Sequence, residues 1–155
     1  MIANLQWYNK TFTELSNEQL YDILKLRVDI FVVEQCCYYP ELDNLDRDKD
    51  THHIFCYQGN EIIAYLRVLA KGVSYENYPS IGRVAIVKKA RGSGLGHLLI
   101  DRGIADCHQR WPTQVIKISA QQHLEKYYQQ HEFQTASAMY LEDNIPHIAM
   151  LRKPK

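Results

Sequence analysis

The sequence predicts a single α/β domain whose central mixed sheet of about six to seven strands is flanked by helices. The 155 residues, of which 46% are hydrophobic, are enough for one domain with an apolar core. Short segments rich in β-branched residues alternate with longer amphipathic segments in the order β-α-β-β-β-α-β-α-β-β. Near the middle of the chain, an apolar strand segment, a glycine-rich loop and a helical segment follow one another directly. We therefore expect residues 1–155 to form one domain.

The individual elements are assigned from two periodicities, alternation for strands and apolar residues at three- and four-residue spacing for helices. Strands are predicted over residues 5–8, 53–57, 62–69, 81–87, 115–119, 138–141 and 145–151. Helices are predicted over residues 17–32, 96–107 and 122–130. The first helix begins with a capping box, in which the side chains of Ser16 and Gln19 each accept from the other's backbone amide. The acidic segment 41–50 lacks the regular carboxylate spacing of a metal site, and we expect a solvated loop there.

The loop at residues 91–96 is a predicted anion site. The first amides of a helix have no internal partners, and the helix dipole adds partial positive charge there. Glycines let the backbone of such a loop approach a phosphate closely. The P-loop motif needs Gly-Lys-Ser/Thr, and the dinucleotide motif needs a third glycine; His97 occupies the position that breaks both. The pattern that does fit is Arg-x-x-Gly-x-Gly, formed by Arg91, Gly94 and Gly96.

With the strand before it, this loop resembles the acetyl-CoA pyrophosphate loop of the GNAT acetyltransferases. A second motif of that family, Tyr, three residues, Gly and Phe, is similar to the stretch from Tyr128 to Phe133, with Glu132 in place of the glycine. The segment 26–35, Leu-Arg-x-x-x-Phe-Val-x-Glu-Gln, and the segment 143–148, Asp-x-Ile-Pro-His-Ile, resemble the ElaA-type subgroup. The resemblance spans residues 5–151.

The resemblance implies an N-acetyltransferase that uses acetyl-CoA as cosubstrate and no metal. A primary amine would attack the thioester directly, without a covalent enzyme intermediate. The residues that the family pattern assigns to the coenzyme are Val84, Ala85 and Ile86 in the strand, Arg91, Gly92, Ser93, Gly94, Leu95 and Gly96 in the loop, and Gln121 and Tyr128 further on. A free thiol has a pKa of ~8.5 and a phenol one of ~10, so Tyr128 is also the expected proton donor to the leaving thiolate.

The group that deprotonates the amine is left open at this point. Glu34, at the end of the first helix, and His147, beside Pro146, are the two candidates retained. The other histidines considered are His52, His53 and His123, and a water relay to a distant carboxylate is an alternative. Arg83 either orders an anionic part of a substrate or forms an ion pair across the sheet, whereas Arg27, inside an amphipathic helix, is expected to pair with a carboxylate.

Composition and charge narrow the possible partners. The 18 basic and 18 acidic residues cancel, so no overall charge attracts the protein to nucleic acid or to an acidic membrane. Apolar runs are shorter than the ~20 residues of a membrane span, and the first seven residues lack signal-peptide features, so a cytoplasmic protein is expected. The expected partner is a small-molecule or peptide amine, with a homodimer as one possible assembly.

Two other functions are compatible with the same motifs. A non-catalytic acetyl-CoA sensor would bind the coenzyme but release no thiol with any amine. An enzyme similar to the acyl-homoserine-lactone synthases would use acyl-carrier protein and S-adenosylmethionine, and would be expected to carry a basic docking patch. The balanced charge and the intact coenzyme loop disfavour this second alternative.

Overall fold

The computed structural model describes residues 3–155, and within them an eight-stranded mixed sheet carries helices on both faces. Residues 1 and 2 belong to the segment examined for a signal peptide and lie outside the described residues. The strands are β1 (Leu5–Lys10), β2 (His52–Gln58), β3 (Glu61–Leu69), β4 (Ser80–Ile86), β5 (Ile116–Gln121), β6 (Gln134–Thr135), β7 (Tyr140–Glu142) and β8 (Ile145–Arg152). The helices are α1 (Asn17–Arg27), continued by a π-helix (Val28–Glu34), α2 (Leu95–Arg110) and α3 (Glu125–Gln129).

The predicted order of elements is confirmed, and the strand count is eight rather than six to seven. The additional strand, β6, pairs with β8 through only two residues, which is too short to leave a periodic pattern. The strand order is β1-β2-β3-β4-β5-β8-β6, and β7 forms a hairpin with β8. In residues 3–155, no helix is long and apolar enough to cross a membrane.

One pair of neighbouring strands, β4 and β5, is parallel, and the crossover between them contains α2. Their register includes a single pair, Ser80 with Lys117, reinforced by a hydrogen bond from the Lys117 amide to the Pro79 carbonyl at 3.0 Å. Beyond this point the two strands diverge toward their carboxyl ends. The divergence opens a gap in the middle of the sheet.

Alternating residues of the strands face two separate cores. On one face, Tyr65 packs with α1 residues such as Ile23. On the other face, Leu66 packs with α2 residues such as Leu99. We call these the α1 face and the α2 face. The gap between β4 and β5 therefore connects the two faces.

The first helix ends differently from its prediction. It was predicted to end at residue 32, but the α-helix ends at Arg27 and the chain continues as a π-helix to Glu34. Residues 28–33 are almost all apolar and include three valines and an isoleucine, whose branched side chains are crowded in a regular α-helix. The wider turn brings Ile30, Phe31 and Glu34 to the wall of the gap.

The acidic segment was predicted to be a solvated loop, and this prediction is wrong for two of its carboxylates. Glu41 and Asp46 are buried, because they pair with arginines from three different elements. The six charged residues that form this arrangement, which we call the ion cluster, are Arg27, Arg67, Arg83, Glu41, Asp43 and Asp46. Arg27, completely buried, donates to Glu41 at 2.8 Å and to Asp46 at 2.7 Å, as expected for its predicted carboxylate partner. Arg83 forms an ion pair with Glu41 at 2.7 Å.

The ion cluster makes the free energy of unfolding depend on pH. Burial alone would raise the pKa of Asp43, but hydrogen bonds from Arg67 and the charges of Arg67 and Arg83 outweigh it and lower that pKa to about 2. The pKa of Asp46 is lowered in the same way by Arg27 and Arg67. Since an unfolded aspartate titrates at ~3.9, the stability that Asp43 contributes is present above that pH and is lost as the pH falls toward about 2. The stability that Asp46 contributes is lost in the same direction, as the pH falls.

Urea unfolding measured across this acid range tests the statement. We expect the free energy of unfolding to fall as the pH falls, and the fall to be shallower in Asp43→Asn, which has no carboxylate to protonate at that position. Equal slopes for the two proteins would show that Asp43 does not contribute.

Candidate active site

A cleft of about 860 Å³ occupies the gap between β4 and β5. One end is lined by Gly92, Gly94 and Gly96 at the start of α2, and the other end by residues of the α1 face such as Arg83 and His147. Eleven of the predicted site residues line the cleft: Val84, Ala85, Ile86, Arg91, Gly92, Gly94, Gly96, Gln121, Tyr128, Glu34 and His147. These predicted site residues therefore lie together in the structure, although they come from six different segments of the chain.

A β-bulge in β4 shapes the middle of the cleft. Tyr65 of β3 faces Ala85, but Arg67 faces Gly82, so β4 contains one extra residue, and Arg83 adopts a left-handed φ of 52°. The Val87 amide bonds to the Ile63 carbonyl at 3.0 Å, whereas the Ile86 carbonyl accepts from Arg91 at 2.9 Å. By the alternation of an antiparallel ladder, the backbone groups of Val84 and Ile86 point toward the gap rather than toward β3. The amides of Val84 and Ile86 are therefore available to a ligand, whereas the Ile86 carbonyl is held by Arg91.

The end of the cleft at the start of α2 has the geometry of an anion site. Gly92 and Gly94 have φ values of 80° and 85°, a region that favours glycine, and Gly94 is the N-cap of α2. The Leu98 amide is the first to bond back, to the Gly94 carbonyl at 3.4 Å, so the preceding amides have no acceptor within the helix. The side chains of Ser93 and Leu95 are engaged elsewhere, with the Ala90 carbonyl and with the core. Of these two residues, only the backbone can contact a ligand.

Arg91 and Glu34 form an ion pair at the mouth of this site. Their closest nitrogen and oxygen lie 3.0 Å apart, and each side chain is 41% exposed. Arg91 is further held by the Ile86 carbonyl. Sequence reasoning assigned the two residues to different tasks, phosphate binding and amine deprotonation. The structure brings them together and fixes Arg91 beside the loop.

Tyr128 lies in the wall of the cleft, on the α2 face. It is 7% exposed, and its ring contacts Phe133 edge-on, with centroids 5.9 Å apart. Burial raises the pKa of Tyr128 above its usual value, and no hydrogen-bond partner within residues 3–155 offsets that effect. The phenol is therefore protonated at neutral pH, and its hydroxyl is free to donate to a group in the cleft.

The neighbouring Tyr127 packs against the start of α2. Its hydroxyl packs against Gly96, where a Cβ would collide with it, and its ring stacks on His97 at 4.6 Å. Glu132, which replaces the family's glycine, has a left-handed φ of 67° and ends the turn that begins at Tyr128. Glu132 thus adopts the left-handed backbone conformation that a glycine adopts more easily, and it is strained there.

At the far end of the cleft, polar groups surround His147. Its Nδ1 lies 2.6 Å from the Ile145 carbonyl, which can only accept, so Nδ1 carries a proton and the neutral ring has its lone pair on Nε2. That Nε2 lies 3.4 Å from Glu142. Tyr140 donates to Ser119 at 2.5 Å, and Ser119 donates to Glu142 at 3.1 Å. The carboxylate is thus held in place beside the imidazole.

Sequence reasoning missed Ser119, Tyr140 and Glu142. They belong to β5 and β7, and the register that places Tyr140 and Gln121 opposite His147 cannot be read from local periodicity. The nearest sequence signal was the predicted hairpin of residues 138–151, which placed Glu142 in the turn and His147 on the second strand, whereas Glu142 is the last residue of β7.

The other three histidines considered as bases either have partners within the fold or lie at the edge of the cleft. His53 is buried between the Tyr65 hydroxyl at 2.7 Å and the Asp46 carbonyl at 3.0 Å, and burial lowers its pKa. His52 contacts Asp106 at 2.9 Å. Neither histidine lines the cleft, whereas His123 borders it from the turn before α3.

The model of the family described as "Acetyltransferase (GNAT) domain" matches residues 15–153. The chain belongs to the GNAT acetyltransferase family. This GNAT protein is 37% identical to Protein ElaA of Escherichia coli strain K12 over 149 residues, which are 96% of this chain and 97% of ElaA. The predicted ElaA-like GNAT relationship is confirmed.

Solved structures agree with this GNAT assignment. An acyl-CoA N-acyltransferase from Pseudomonas aeruginosa is 42% identical with a TM-score of 0.90, covering 96% of this chain and 99% of that one. The crystal structure of Escherichia coli ElaA is 36% identical with a TM-score of 0.91 and the same coverage. The protein is therefore a GNAT-family acyltransferase, and the predicted fold class is confirmed.

Proposed function

We propose that this GNAT protein transfers an acetyl group from acetyl-CoA to the primary amine of a small molecule or peptide. The observation that carries the proposal is the through-sheet cleft, which joins the anion site of α2 to the polar groups around His147. The coenzyme enters from the α2 face and the amine from the α1 face. Both reactants then meet at the bulged part of β4.

Backbone amides hold the coenzyme in this proposal. Those at the start of α2 bind its diphosphate, with the Arg91 guanidinium adding charge, and the Gln121 side chain contacts the pantetheine. The gap-facing amides of Val84 and Ile86, beside Ala85, bind the pantetheine and the thioester oxygen, which stabilises the negative charge that develops on that oxygen. Ile30 and Phe31 already pack beside Ala85, so a long acyl chain would have to displace them, which favours acetyl.

His147 accepts the proton of the incoming ammonium group. Its Nε2 is the available nitrogen, and the carboxylate of Glu142 stabilises the imidazolium that forms. The freed nitrogen lone pair attacks the thioester carbon, and the carbon–sulfur bond breaks as the carbonyl re-forms. Tyr128 donates a hydrogen bond and then its proton to the departing sulfur, while the positively charged nitrogen of the adduct gives its excess proton, through water, to the phenolate that forms. The products are free CoA thiol and a neutral amide, Tyr128 is again protonated, and the proton held by His147 passes to solvent.

The proposed reaction needs one domain only, residues 1–155. We also propose a cytoplasmic protein, since all four cysteines are free thiols, as in a reducing compartment.

Thiol release measured with acetyl-CoA over a library of primary amines tests the function. Release with at least one amine supports an enzyme, whereas coenzyme binding without any release would support the sensor alternative.

Gly94→Asp is expected to prevent coenzyme binding without unfolding the protein. A Cβ at Gly94 meets no atom within 4 Å, and aspartate tolerates the left-handed region better than most residues. Its carboxylate would repel the diphosphate at the helix N-terminus. We expect the acetyl-CoA-dependent rise in melting temperature to disappear.

Gly94→Asn is the matched control, because it has the same shape without the charge. It should retain a larger shift than Gly94→Asp. Equal shifts for wild type and Gly94→Asp would contradict an anion site at this position.

His147→Gln is expected to lower kcat/KM at pH 7 by about ten-fold or more, since the proposed base is removed. The deficit should shrink as the pH rises, because more of the amine is then deprotonated in solution. Rates measured from pH 6 to pH 10 test this. A constant deficit at every pH would show that His147 is not the base.

A further inference from the structure

The acceptor end of the cleft borders the ion cluster through Arg67 and Arg83. Arg67 is 3% exposed, and it lies on β3 opposite Gly82, next to the bulge of β4. Arg83 is the bulged residue itself. Two guanidinium groups therefore lie beside the place where the acceptor meets the thioester.

Arg67 has one nitrogen that no protein group satisfies. Its Nη1 donates to Asp43 at 2.9 Å and to Asp46 at 3.0 Å, and its Nη2 donates to Asp43 at 2.5 Å. Its Nε is buried and has no hydrogen-bond partner within residues 3–155. A buried donor without a partner costs about 1–3 kcal/mol, and more when the group is charged. A ligand oxygen in the cleft would remove that cost.

The charge balance restricts which oxygen fits. The three guanidinium groups of the ion cluster are matched by the three carboxylates of Glu41, Asp43 and Asp46. The other acidic residues that line this end of the cleft are Glu142 and Asp143. A ligand carboxylate would therefore add a negative charge with no unpaired cation to receive it. A neutral carbonyl oxygen satisfies the Arg67 Nε–H without adding charge.

We propose that the acceptor is a primary amine carrying a neutral carbonyl oxygen, an amide or an ester, and that this oxygen accepts a hydrogen bond from Arg67 Nε. The amine binds beside Glu142 and His147, and the carbonyl binds toward Arg67. Amino amides and the amino ends of peptides belong to this class, and free amino acids are disfavoured. The inference rests on the proposed function and names the substrate class of that same cleft.

Three matched series of acceptors test the proposal by thiol release. Glycinamide, β-alaninamide and 4-aminobutanamide carry the carbonyl at increasing distance from the amine. The corresponding free amino acids replace the amide by a carboxylate, and ethylamine, propylamine and butylamine lack the oxygen. We expect the best amide to exceed its carboxylate and alkyl counterparts by about ten-fold or more in kcat/KM, as for a hydrogen bond to a charged group.

Arg67→Lys keeps the positive charge but has no Nε–H in that position, so the ratio of amide to alkylamine should fall toward one. Equal rates for amides and alkylamines in the wild type, or faster rates for the free amino acids, would overturn the proposal. If Arg67→Lys does not fold, the wild-type series alone decides.

A binding measurement separates this inference from the proposed function. Without turnover, the ¹⁵N resonance of Arg67 Nε–H is followed while glycinamide or ethylamine is added to the complex with CoA. A shift with glycinamide and none with ethylamine supports the carbonyl site even if no amine releases thiol. No shift with any of the three amides would overturn it even if simple amines are acetylated.

Discussion

Tyr128→Phe is expected to lower kcat by about 10²–10³-fold while leaving acetyl-CoA binding nearly unchanged. The substitution removes only the hydroxyl, so the edge-on packing against Phe133 remains. Without the proton donor, the sulfur must leave as an unprotonated thiolate in a poorly solvated part of the cleft, which raises the barrier. Steady-state thiol release gives kcat, and the acetyl-CoA-dependent melting shift reports binding.

Tyr57→Phe is the matched control, since it removes a hydroxyl outside the cleft that bonds to Asp22 at 2.6 Å. Its kcat should stay close to that of the wild type. If Tyr128→Phe turned over as fast as Tyr57→Phe, Tyr128 would have no part in the chemistry, and its burial would be a packing feature.

Arg27→Met is expected to lower the free energy of unfolding by about 3–5 kcal/mol. Arg27 is fully buried and holds Glu41 and Asp46. Methionine fills most of the space but leaves those carboxylates short of one cation in a poorly solvated site. Because Glu41 also orders Arg83 at the bulge, the variant should in addition lose coenzyme-dependent activity.

Urea unfolding at pH 7 measures the loss, and Lys25→Met on the same helix is its control. Lys25 is exposed and pairs with Asp29 at 2.8 Å, and exposed pairs contribute little. The control should therefore unfold close to the wild type. Similar stabilities for Arg27→Met and Lys25→Met would show that the ion cluster adds no stability through Arg27.

Local sequence patterns were sufficient for the order of most helices and strands and for the strand–glycine loop–helix segment. The glycine loop is continuous in sequence, so its motif, its preceding strand and its helix all lie within residues 81–107. The same holds for the turn from Tyr128 to Phe133. Each of these two features is built by one short segment, so its residue types and spacing were enough to predict it.

The acceptor end depends on contacts between distant segments, and there the predictions were incomplete or wrong. Segment 41–50 looked like a solvated loop because nothing local indicates that Arg27, Arg67 and Arg83 converge on it. The bulge at Arg83 depends on register with β3, and a single sequence does not encode register as a visible pattern.

The crystal structure of the complex with acetyl-CoA tests the central claim most directly. We predict that the diphosphate oxygens lie within hydrogen-bond distance of the amides of residues 92–97, and that the thioester oxygen faces the Val84 and Ile86 amides in the gap beside β5. The acetyl carbon should then lie between Tyr128 and His147. A coenzyme bound elsewhere, or a gap filled by protein side chains in crystals saturated with acetyl-CoA, would contradict the account.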